Sequence, residues 1–455
     1  MCMQVDRDFP QLQEIVDEQK LAKTLQRHLG KSFATGEMQV EGCRKDRIYY
    51  KSGTDCRLLF TAVIRNRLNQ EIDEQLFFGR LFRSNSGHTL RDCLNPKKLT
   101  SPKFGPSVMY IPEWAMVLWA YPNDPELPGL SHMFKSSNVL AQMKADPVSF
   151  NINHPPVSIS GKLTKYVPGK RCGYVFRIRQ AGSDSPVVNG DCAVYGKAYR
   201  GKDGETAYSI LKQIGQTEAS KQGELLLSQP YSYDPENRII WQEALRNPSL
   251  AKLVEIIPDL PEKGEEIGKR LAAFHDTDLD LPQEMTIDFQ VRELRSKFSA
   301  IRDAFPEYQI LCNKVFQRLI ACSSRIEPVP LRPIHGSFKL SHIFAEEKGI
   351  TFIDFDGANL GDPGYDLGRF MAHVYRMKVN GKIKPDIAEQ TVSRFCTAYN
   401  RAVCVPLPQE RINWFAASHL VCSEAYKIVK RVSPDIVRDL LRIADRLCEG
   451  GTVQD

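Results

Sequence analysis

An internal repeat in the first half of the chain constrains the fold more than any other feature of the sequence. The pattern YxxGxxCxxxF occurs twice, beginning at Tyr50 and again at Tyr166, a displacement of 116 residues. A second block, FGRLFR at 78–83, returns as YGKAYR at 195–200, displaced by 117 residues. An offset that grows slowly along the chain is typical of a duplication, because loops accept insertions at small cost. The sequence therefore predicts two related units.

A third block continues the repeat. In VLWAYPNDPEL and IIWQEALRNPSL the displacement is 122 to 123 residues, and the matched positions are Trp119 with Trp241, Pro125 with Pro248 and Leu127 with Leu250. Both units consist of short runs rich in aromatic and β-branched residues, separated by glycines and polar turns, and this pattern predicts β-strands. Chance agreement among common aromatic and glycine positions is the alternative interpretation, and three blocks in one order argue against it.

The periodicity of the chain changes after Pro261. The stretch EEIGKRLAAFH places Ile267, Leu271 and Phe274 on one face of a helix. Since 455 residues are about three times the length of an average domain, we expect several cores. The predicted organisation is an α+β chain of four segments: a helical arm or cap at 1–45, a first β-rich unit at 46–155, a second at 156–252 and a helical domain at 253–455.

Composition excludes several classes of protein. Hydrophobic residues at 42% and charged residues at 25% are typical of folded globular chains. The formal net charge of +6 predicts no nucleic-acid partner and is compatible with phosphate-bearing ligands. Because no apolar run reaches membrane-spanning length and the first residues are not a signal peptide, we expect a soluble, cytoplasmic protein without a membrane partner. The twelve cysteines form no CxxC pair and predict reduced thiols.

The densest group of polar residues lies in three strings, HGSFKLSH at 335–342, ITFIDFD at 350–356 and GDPGYDL at 361–367. The apolar residues around 343 and 350–355 predict two short strands of a hairpin, with its turn at Glu346–Gly349. This part of the helical domain is therefore expected to carry a small β-structure with charged residues at its end.

Two carboxylates close together in that hairpin suggest a metal site. On a strand, Asp354 and Asp356 point to the same face, so their charges would repel each other. A divalent cation removes this repulsion, and hard oxygen ligands favour Mg²⁺.

The three strings resemble the aminoglycoside phosphotransferase and choline kinase branch of the protein-kinase-like fold, including maltokinase-like relatives. The family loop reads HGDxxxxN, and its metal strand reads ID[FWY] followed by GDPxxDL; LAAFH at 271–275 is similar to its LAxLH segment. The resemblance extends over about residues 158–450. It implies a bilobal fold with a β-rich N-terminal lobe and a helical C-terminal lobe, with ATP and Mg²⁺ as cofactors. Together with the internal repeat, this predicts an α+β bilobal protein-kinase-like fold in which the N-terminal lobe is duplicated.

The resemblance also implies roles for individual residues. Asp354 takes the place of the metal-binding aspartate, and Asp366 that of the aspartate that supports the catalytic loop. Lys197 looks like the strand lysine that holds the ATP phosphates, and Lys339 stands where a lysine contacts the transferred phosphate.

Two positions depart from the family pattern. Ser337 stands where the family has its catalytic aspartate, and His342 stands in place of a metal-binding asparagine. A serine hydroxyl is a weak base and an imidazole is a poorer ligand for Mg²⁺ than an amide oxygen. His335, His342 or Asp356 are candidates to replace the base, and loss of the base slows such a reaction by about 10²–10⁴-fold.

The nucleotide-binding half is predicted in the second β-rich unit. Lys170 and Arg171 follow a Pro-Gly turn, and this basic hairpin either covers a triphosphate or is an ordinary solvated hairpin. The segment Trp241, Gln242, Glu243 and Ala244 resembles the hinge that holds adenine. In the first unit the lysine position is Arg80, and without a metal strand this copy is interpreted as a structural cap.

Two functions therefore remain open on the sequence. The first is an ATP- and Mg²⁺-dependent phosphotransferase acting on a hydroxyl of a sugar, amino alcohol or aminoglycoside-like molecule. The alternative is a pseudokinase that binds nucleotide or a protein partner without phosphoryl transfer.

Overall fold

The computed structural model describes residues 9–15, 17–51, 55–82, 99–180, 192–429 and 433–450. The chain divides into two compact units. The first, called the β unit, comprises Met1–Glu205 and Tyr231–Glu243; the second, called the helical unit, comprises Thr206–Pro230 and Ala244–Asp455. No helix in these described ranges is both long enough and apolar enough to cross a membrane.

The β unit begins with helices that cover one face of its first sheet. Helix α2 starts at Asp17, whose side chain accepts hydrogen bonds from the amides of Gln19 and Lys20. Leu21 and Leu25 are fully buried in the core of the first sheet. The helices are α1 (Leu12–Ile15), α2 (Glu18–His28) and α3 (Lys31–Ala34).

The first sheet contains five strands in the order β1-β2-β3-β5-β4, and each neighbouring pair is antiparallel. Its first strand begins at Met38, inside the segment predicted as a helical arm, because the strand is longer than its aromatic part. The strands are β1 (Met38–Lys51), β2 (Asp55–Asn66), β3 (Ile72–Leu81), β4 (Val108–Ile111) and β5 (Met116–Ala120), and helices α4 (Pro128–Phe134) and α5 (Ser136–Ala145) follow.

The second sheet repeats this arrangement. Its strand order is β10-β11-β8-β7-β6. Read from the β6 edge, this is the order of the first sheet: β6, β7 and β8 correspond to β1, β2 and β3, while β10 corresponds to β4 and β11 to β5. The strands are β6 (Pro156–Val167), β7 (Arg171–Gln180), β8 (Cys192–Tyr199), β10 (Pro230–Asp234) and β11 (Ile239–Glu243), while β9 (Leu226–Leu227) belongs to the helical unit.

Strand register supports the predicted repeat at two of its blocks. Cys56 pairs with Leu81 in the first sheet, and Cys172 pairs with Ala198 in the second. These pairs have the displacements of 116 and 117 residues that the sequence indicated. Gly53 and Arg83, which belong to the predicted blocks, lie outside the described residues.

In the third block, the predicted match of the two tryptophans is shifted by one residue, whereas the displacement of 123 residues predicted for the proline and the leucine agrees with the strand pairing. Leu118 pairs with Gly79, and Trp241 pairs with Gly196, so Trp241 corresponds to Leu118. Trp119 therefore corresponds to Gln242 and lies on the other face of its sheet. The match of two tryptophans was wrong because register follows the backbone pairing and not residue identity.

The helical unit is built on two helices that cross at close range. Helices α9 (Leu260–His275) and α13 (Pro385–Ala402) approach each other at Gly264, where an added Cβ would lie 2.8 Å from the Thr391 carbonyl oxygen. Ile267, Leu271 and Phe274 form the buried face of α9, as the periodicity predicted. The helices are α6 (Asp203–Gln216), which begins at the unit boundary, α7 (Glu218–Lys221), α8 (Leu250–Leu253), α9 (Leu260–His275), α10 (Ile287–Ala304), α11 (Gln309–Ser323), α12 (Gly364–Val379), α13 (Pro385–Ala402), α14 (Gln409–His419), α15 (Tyr426–Val429) and α16 (Pro434–Cys448).

Two three-stranded sheets lie among these helices, in the orders β12-β16-β13 and β14-β15-β9. The strands are β12 (Gln283–Met285), β13 (Arg332–Ile334), β14 (Ile343–Glu346), β15 (Gly349–Phe352) and β16 (Asn359–Gly361). The predicted α+β architecture, with antiparallel sheets first and helices later, is confirmed. The ten cysteines that the structure describes are free, as expected.

Candidate functional site

The polar strings of the sequence come together in the helical unit. Strands β14 and β15 pair from Ile343 opposite Phe352 to Glu346 opposite Gly349, which is the predicted hairpin. The loop at 335–342 leads from β13 into this hairpin and ends in a short 3₁₀ turn, Leu340–His342. The residues after β15 return toward the start of the same loop, and Gly357 lies beside Gly336.

A buried carboxylate fixes the start of the loop. Asp366, on the first turn of α12, is fully buried and accepts hydrogen bonds from the amides of His335 at 2.5 Å and Gly336 at 3.0 Å. His275 at the end of α9 contacts the same carboxylate at 3.2 Å, and its other ring nitrogen lies 2.8 Å from the Tyr399 hydroxyl. Asp366 thus supports the loop from the following helix, as the resemblance implied, and His275 is a packed residue of this network.

Gly336 is required by the geometry of the loop. Its φ of +71° lies in the left-handed region that glycine adopts without strain. An added Cβ would also collide with the carbonyl oxygen of Gly357. A larger residue at this position would therefore displace the loop from the residues that follow β15.

The hydroxyl of Ser337 lies between two imidazole rings. Its Oγ is 3.4 Å from Nδ1 of His335 and 3.4 Å from Nδ1 of His342. Nε2 of His335 lies 2.9 Å from the Ile353 carbonyl oxygen, which only accepts, so this nitrogen carries the hydrogen. Nε2 of His342 lies 3.3 Å from Oδ2 of Asp354. In the neutral rings, both Nδ1 atoms therefore present a lone pair to Ser337.

The two candidate metal ligands are not on a strand. Strand β15 ends at Phe352, Asp354 has a φ of +68°, and Asp356 lies in a 3₁₀ turn at Phe355–Gly357. The prediction that both carboxylates share one strand face was therefore wrong. On either side of this turn the chain contacts the start of the loop, because the Ile353 carbonyl oxygen accepts from His335 and Gly357 lies beside Gly336.

The donor set fits a magnesium ion in part. Asp354 and Asp356 supply two carboxylates, which is what Mg²⁺ takes from a protein when phosphates and water complete its coordination. Among the described residues, no group of three or more His, Cys, Asp or Glu side chains could hold a metal by itself. His342 points one nitrogen at Asp354 and the other at Ser337, so its geometry is that of a hydrogen-bonding residue.

Lys339 extends from the middle of the loop toward α12. Its backbone is fully extended and its side chain is half-buried. Burial lowers the pKa of His373 on α12 to about 3, and the positive charge of Lys339 acts in the same direction. The ammonium group of Lys339 is therefore close enough to α12 for its charge to lower the pKa of His373.

In the β unit, Lys197 is a buried cation and not a surface lysine. It is 8% exposed, lies in the middle strand β8 and pairs with Gly173 on one side and Ile240 on the other. Its ammonium nitrogen lies 4.9 Å from the centre of the Tyr199 ring, a cation–π distance.

The other predicted nucleotide-binding residues differ in accessibility. Trp241 is fully buried in the core of the second sheet, and β11, which contains Trp241, Gln242 and Glu243, lies between β10 and β8. The Trp241 side chain therefore has a packing role. Ala244 follows the end of this strand, in the helical unit.

The basic hairpin is formed as predicted. Lys170 is exposed in the turn between β6 and β7, where its amide donates to the Val167 carbonyl oxygen, and Arg171 starts β7 half-buried.

The ion pair that holds the segment after the hairpin was not predicted from the sequence. Asp362 of GDPGYDL is buried and pairs with Arg411 on α14, while its other oxygen accepts the Gly364 amide at 2.9 Å. Burial raises the pKa of this carboxyl although Arg411 opposes the shift. The motif identified Asp362, but nothing in the sequence indicated which of the 61 basic residues would pair with it.

The part of the chain that contains this site is similar to a known protein family. Residues 246–400 match the model of the phosphotransferase enzyme family. The matched segment contains the whole loop, the hairpin and Asp366, and it confirms the predicted resemblance over a shorter range than the sequence suggested. No curated protein matches the sequence.

Several solved structures are similar to this chain at low identity. A thermostable mutant of the aminoglycoside phosphotransferase APH(4)-Ia is 13% identical, with a TM-score of 0.44 over 65% of this chain and 97% of its own. A choline/ethanolamine kinase family protein from Mesorhizobium loti is 15% identical, with a TM-score of 0.42 over 70% and 95%. A choline kinase from Cryptosporidium parvum is 11% identical, with a TM-score of 0.45 over 69% and 95%.

Proposed function

We propose that the protein transfers the γ-phosphoryl group of ATP to a hydroxyl group of a small molecule, such as a sugar, an amino alcohol or an aminoglycoside-like compound. The observation that carries the proposal is the fixed loop at 335–342, whose first two amides donate to the buried Asp366. Phosphoryl transfer depends mainly on positioning and on neutralisation of charge. A loop fixed in this way holds Ser337 and Lys339 in constant positions.

Within the loop, each side chain has a separate task. Lys339 supplies a positive charge to the transferred phosphate. Ser337 hydrogen-bonds the acceptor hydroxyl and passes a proton to Nδ1 of His342, which lies 3.4 Å from its Oγ. Asp354 stabilises the protonated ring through its contact with Nε2 at 3.3 Å. This relay replaces the single carboxylate of the family pattern.

In the β unit, the proposal assigns Lys197 to the phosphates of ATP, because it is a buried lysine at the strand position where the family resemblance implies the phosphate-binding lysine. Lys170 and Arg171 lie in the same unit and add positive charge. Asp354 and Asp356 would hold Mg²⁺, which when bound neutralises charge on the phosphates.

A non-catalytic role is the second candidate, and one contact favours it. His342 lies within 3.3 Å of Asp354, so the predicted metal-binding carboxylate already has a partner. Together with Ser337 in the place of a carboxylate, this arrangement is typical of a pseudokinase that binds nucleotide without transferring phosphate.

Turnover measurements separate the two candidates. ATP is added with and without Mg²⁺, thermal unfolding is followed to detect binding, and ADP is measured with a panel of hydroxyl acceptors. The phosphotransferase is expected to bind ATP and to release ADP with at least one acceptor. Asp354→Asn is expected to abolish ADP release, and Ser337→Asp to change it by about 10²–10⁴-fold, upward if the relay is weaker than a carboxylate base.

Ser341→Asp is the matched control, because it adds a carboxylate to the same loop without replacing Ser337. It is expected to leave ADP release close to that of the wild type. Binding of ATP with no ADP from the wild type or from Ser337→Asp would establish the pseudokinase. Absence of any ATP effect on unfolding would contradict both candidates.

A further inference from the structure

A group of charged side chains in the helical unit takes no part in the relay of Ser337. It lies where α12 contacts a π-helical turn at Leu420–Ala425, which joins α14 to α15. Glu424 in this turn is fully buried, and three cations contact its carboxylate: Arg369 at 2.7 Å, Arg376 at 2.9 Å and Lys427 at 3.2 Å. These four residues are called the Glu424 cluster. One carboxylate is thus shared by three positive charges.

Carboxylates on the neighbouring helices have cationic partners of their own. Glu293 on α10 lies 3.4 Å from Lys297, and Glu389 on α13 lies 2.6 Å from Lys378. Within the described part of the chain, no carboxylate other than Glu424 forms an ion pair with the three cations of the cluster. Charges that are partly removed from water are costly unless they are paired. An anion bound at the cluster would reduce this cost.

The cluster is accessible to solvent on one side. The exposed fraction of the side chain rises from 8% for Arg369 to 21% for Arg376 and 51% for Lys427. Nε of Arg376 is buried and makes no hydrogen bond, so its N–H is not directed at the nearby carboxylate of Glu424. A ligand can therefore contact Arg376 and Lys427 from solvent while Glu424 stays in place.

The face of α12 that carries the cluster begins at the loop of the candidate site. Asp366, Arg369, His373 and Arg376 follow one another at intervals of three and four residues, which places them on one face of the helix. Asp366 holds the loop amides, and His373 is close enough to Lys339 to respond to its charge. Because both arginines reach one carboxylate, the cluster is centred near His373, roughly 10 Å along the helix axis from Asp366. One small molecule can span this distance.

His373 provides a second, independent indication of a ligand. Its side chain is 5% exposed, and its Nδ1 is buried without a hydrogen-bond partner among the described residues. Besides burial, the charges of Glu424, Arg369 and Arg376 affect the pKa of this ring, so His373 faces the cluster. A buried polar atom without a partner is costly. A polar group of a molecule bound at the cluster would supply the missing partner.

We propose that the Glu424 cluster binds an anionic group, either a carboxylate or a phosphate ester, of the molecule that accepts the phosphoryl group. Guanidinium groups match the oxygens of both kinds of anion. The excess of positive charge disfavours a cationic acceptor by repulsion. The acceptor is therefore a hydroxy acid or a hydroxyl-bearing phosphate ester. Calling the ligand the acceptor rests on the proposed function, whereas binding of the anion does not.

Binding is tested on the full chain without nucleotide, by calorimetric titration and thermal unfolding at constant ionic strength set with chloride. Four probes share a three-carbon skeleton: glycerate and glycerol phosphate are anions, glycerol is neutral and aminopropanediol is a cation. The wild type is expected to bind at least one of the anions and to bind the other two probes more weakly. The anion that binds more tightly identifies the group. No binding of either anion, or equally tight binding of glycerol or aminopropanediol, would overturn the proposal.

Variants assign the binding to the cluster. Arg376→Gln is expected to weaken anion binding by about 10–100-fold, because a charged hydrogen bond is lost. Lys427→Gln, at a half-exposed side chain, is expected to weaken it by about 2–5-fold, and Lys427→Arg, which keeps the charge, to retain it.

Lys269→Gln is the matched control, with unchanged binding expected. Lys269 is a 58% exposed lysine on α9 that pairs at 2.6 Å with Glu265, one turn away on its own helix. Unfolding without ligand checks that each variant is folded, and Lys427→Gln decides if Arg376→Gln does not fold. Wild-type binding by the folded glutamine variants of the cluster, or equal weakening by Lys269→Gln, would overturn the proposal.

Release of ADP from ATP with the same four molecules separates failure of the anion site from failure of the proposed function. ADP release with glycerate or glycerol phosphate supports both. ADP release with glycerol or aminopropanediol, together with no binding of the anions, would overturn the anion site and leave the phosphotransferase. Anion binding that Arg376→Gln weakens, with no ADP from any acceptor, would contradict the phosphotransferase and support the anion site.

Discussion

The two sheets of the β unit share strand order and register but differ in the charged residues of one face. Arg80 in the first sheet and Lys197 in the second occupy the same position, and each lies close to the aromatic ring two residues further on, at 5.6 Å and 4.9 Å. The cross-strand neighbour is Arg57 in the first sheet and Gly173 in the second. The same strand arrangement thus carries two neighbouring guanidinium groups in the first sheet and a single ammonium group in the second.

The difference between the copies shows that two sheets with the same strand order can carry different cations at corresponding positions. A lysine is a compact charge that contacts one phosphate oxygen at a time, whereas two guanidinium groups can surround an anion. The space over Gly173, opposite Lys197, is filled by Tyr195, with whose hydroxyl group an added Cβ would collide.

The largest expected effect comes from exchanging the two cations for neutral side chains of similar length. Lys197→Met should weaken ATP binding by about 10–100-fold, because a buried charged contact to phosphate is lost. Arg80→Met is expected to leave ATP binding unchanged. Titration of both variants with ATP measures this. Equal loss of ATP binding in both variants would remove the distinction between the copies.

The equivalent glycines of the two sheets test how tightly each copy is packed. An added Cβ at Gly196 would lie 2.5 Å from the Trp241 ring, and one at Gly79 would lie 2.7 Å from the Met116 sulfur. The indole cannot move without disturbing the core, whereas the methionine side chain can rearrange. Gly196→Ala should therefore reduce the free energy of unfolding by about 2–3 kcal/mol and Gly79→Ala by about 1 kcal/mol or less.

Chemical denaturation of the two alanine variants and the wild type measures these values. Gly79→Ala is the control, since it makes the same chemical change at the corresponding site. A greater loss for Gly79→Ala than for Gly196→Ala would mean that the second copy is the more adaptable one.

The contact between the two copies should respond to pH through Asp124. Burial raises the pKa of this carboxyl, although hydrogen bonds from Gly169 and Glu126 lower it. The folded state then holds a proton more tightly than the unfolded chain, so stability falls as pH rises from the ordinary pKa of an aspartate through the raised pKa of Asp124. The limit for one group is about 1.4 kcal/mol per pH unit.

Asp124→Asn, which does not titrate, should lack this component. The measurement is the difference in free energy of unfolding between wild type and variant across acidic pH. A difference that does not change with pH, or that changes in favour of the wild type as pH rises, would contradict the prediction.

The smallest expected effect concerns a hydroxyl bridge between the copies. The Tyr121 hydroxyl, after the first sheet, is hydrogen-bonded to the Tyr174 hydroxyl on β7. Tyr174→Phe should cost about 1 kcal/mol, the usual net value of one such bond. Unfolding by denaturant checks this. No loss of stability would show that the two copies pack together without this bond.

Much of the fold followed from local patterns. The repeat, the helical face of Ile267 and Leu271, and the hairpin at 343–352 depend on periodicity and turn residues that lie close together in the sequence. The prediction that Asp354 lies on a strand was wrong, because the backbone leaves the strand conformation and adopts a positive φ at this residue.

The site could be predicted only in part. HGSFKLSH and GDPGYDL identified the loop and Asp366, since these residues are consecutive in motifs. The contact of Ser337 with two imidazoles could not be predicted, because it depends on the 3₁₀ turn that brings His342 back to the loop.

The sequence by itself determined that the chain carries a doubled β-rich region followed by helices, and that a glycine-containing loop and two aspartates lie in the second part. Only the tertiary structure decided that Arg57 faces Arg80, that Asp366 holds the loop together with His275, and that His342 lies between Ser337 and Asp354. The physical reason is that periodicity and turn propensity act over a few residues. Contacts between distant segments instead depend on strand register and packing, which the complete fold sets.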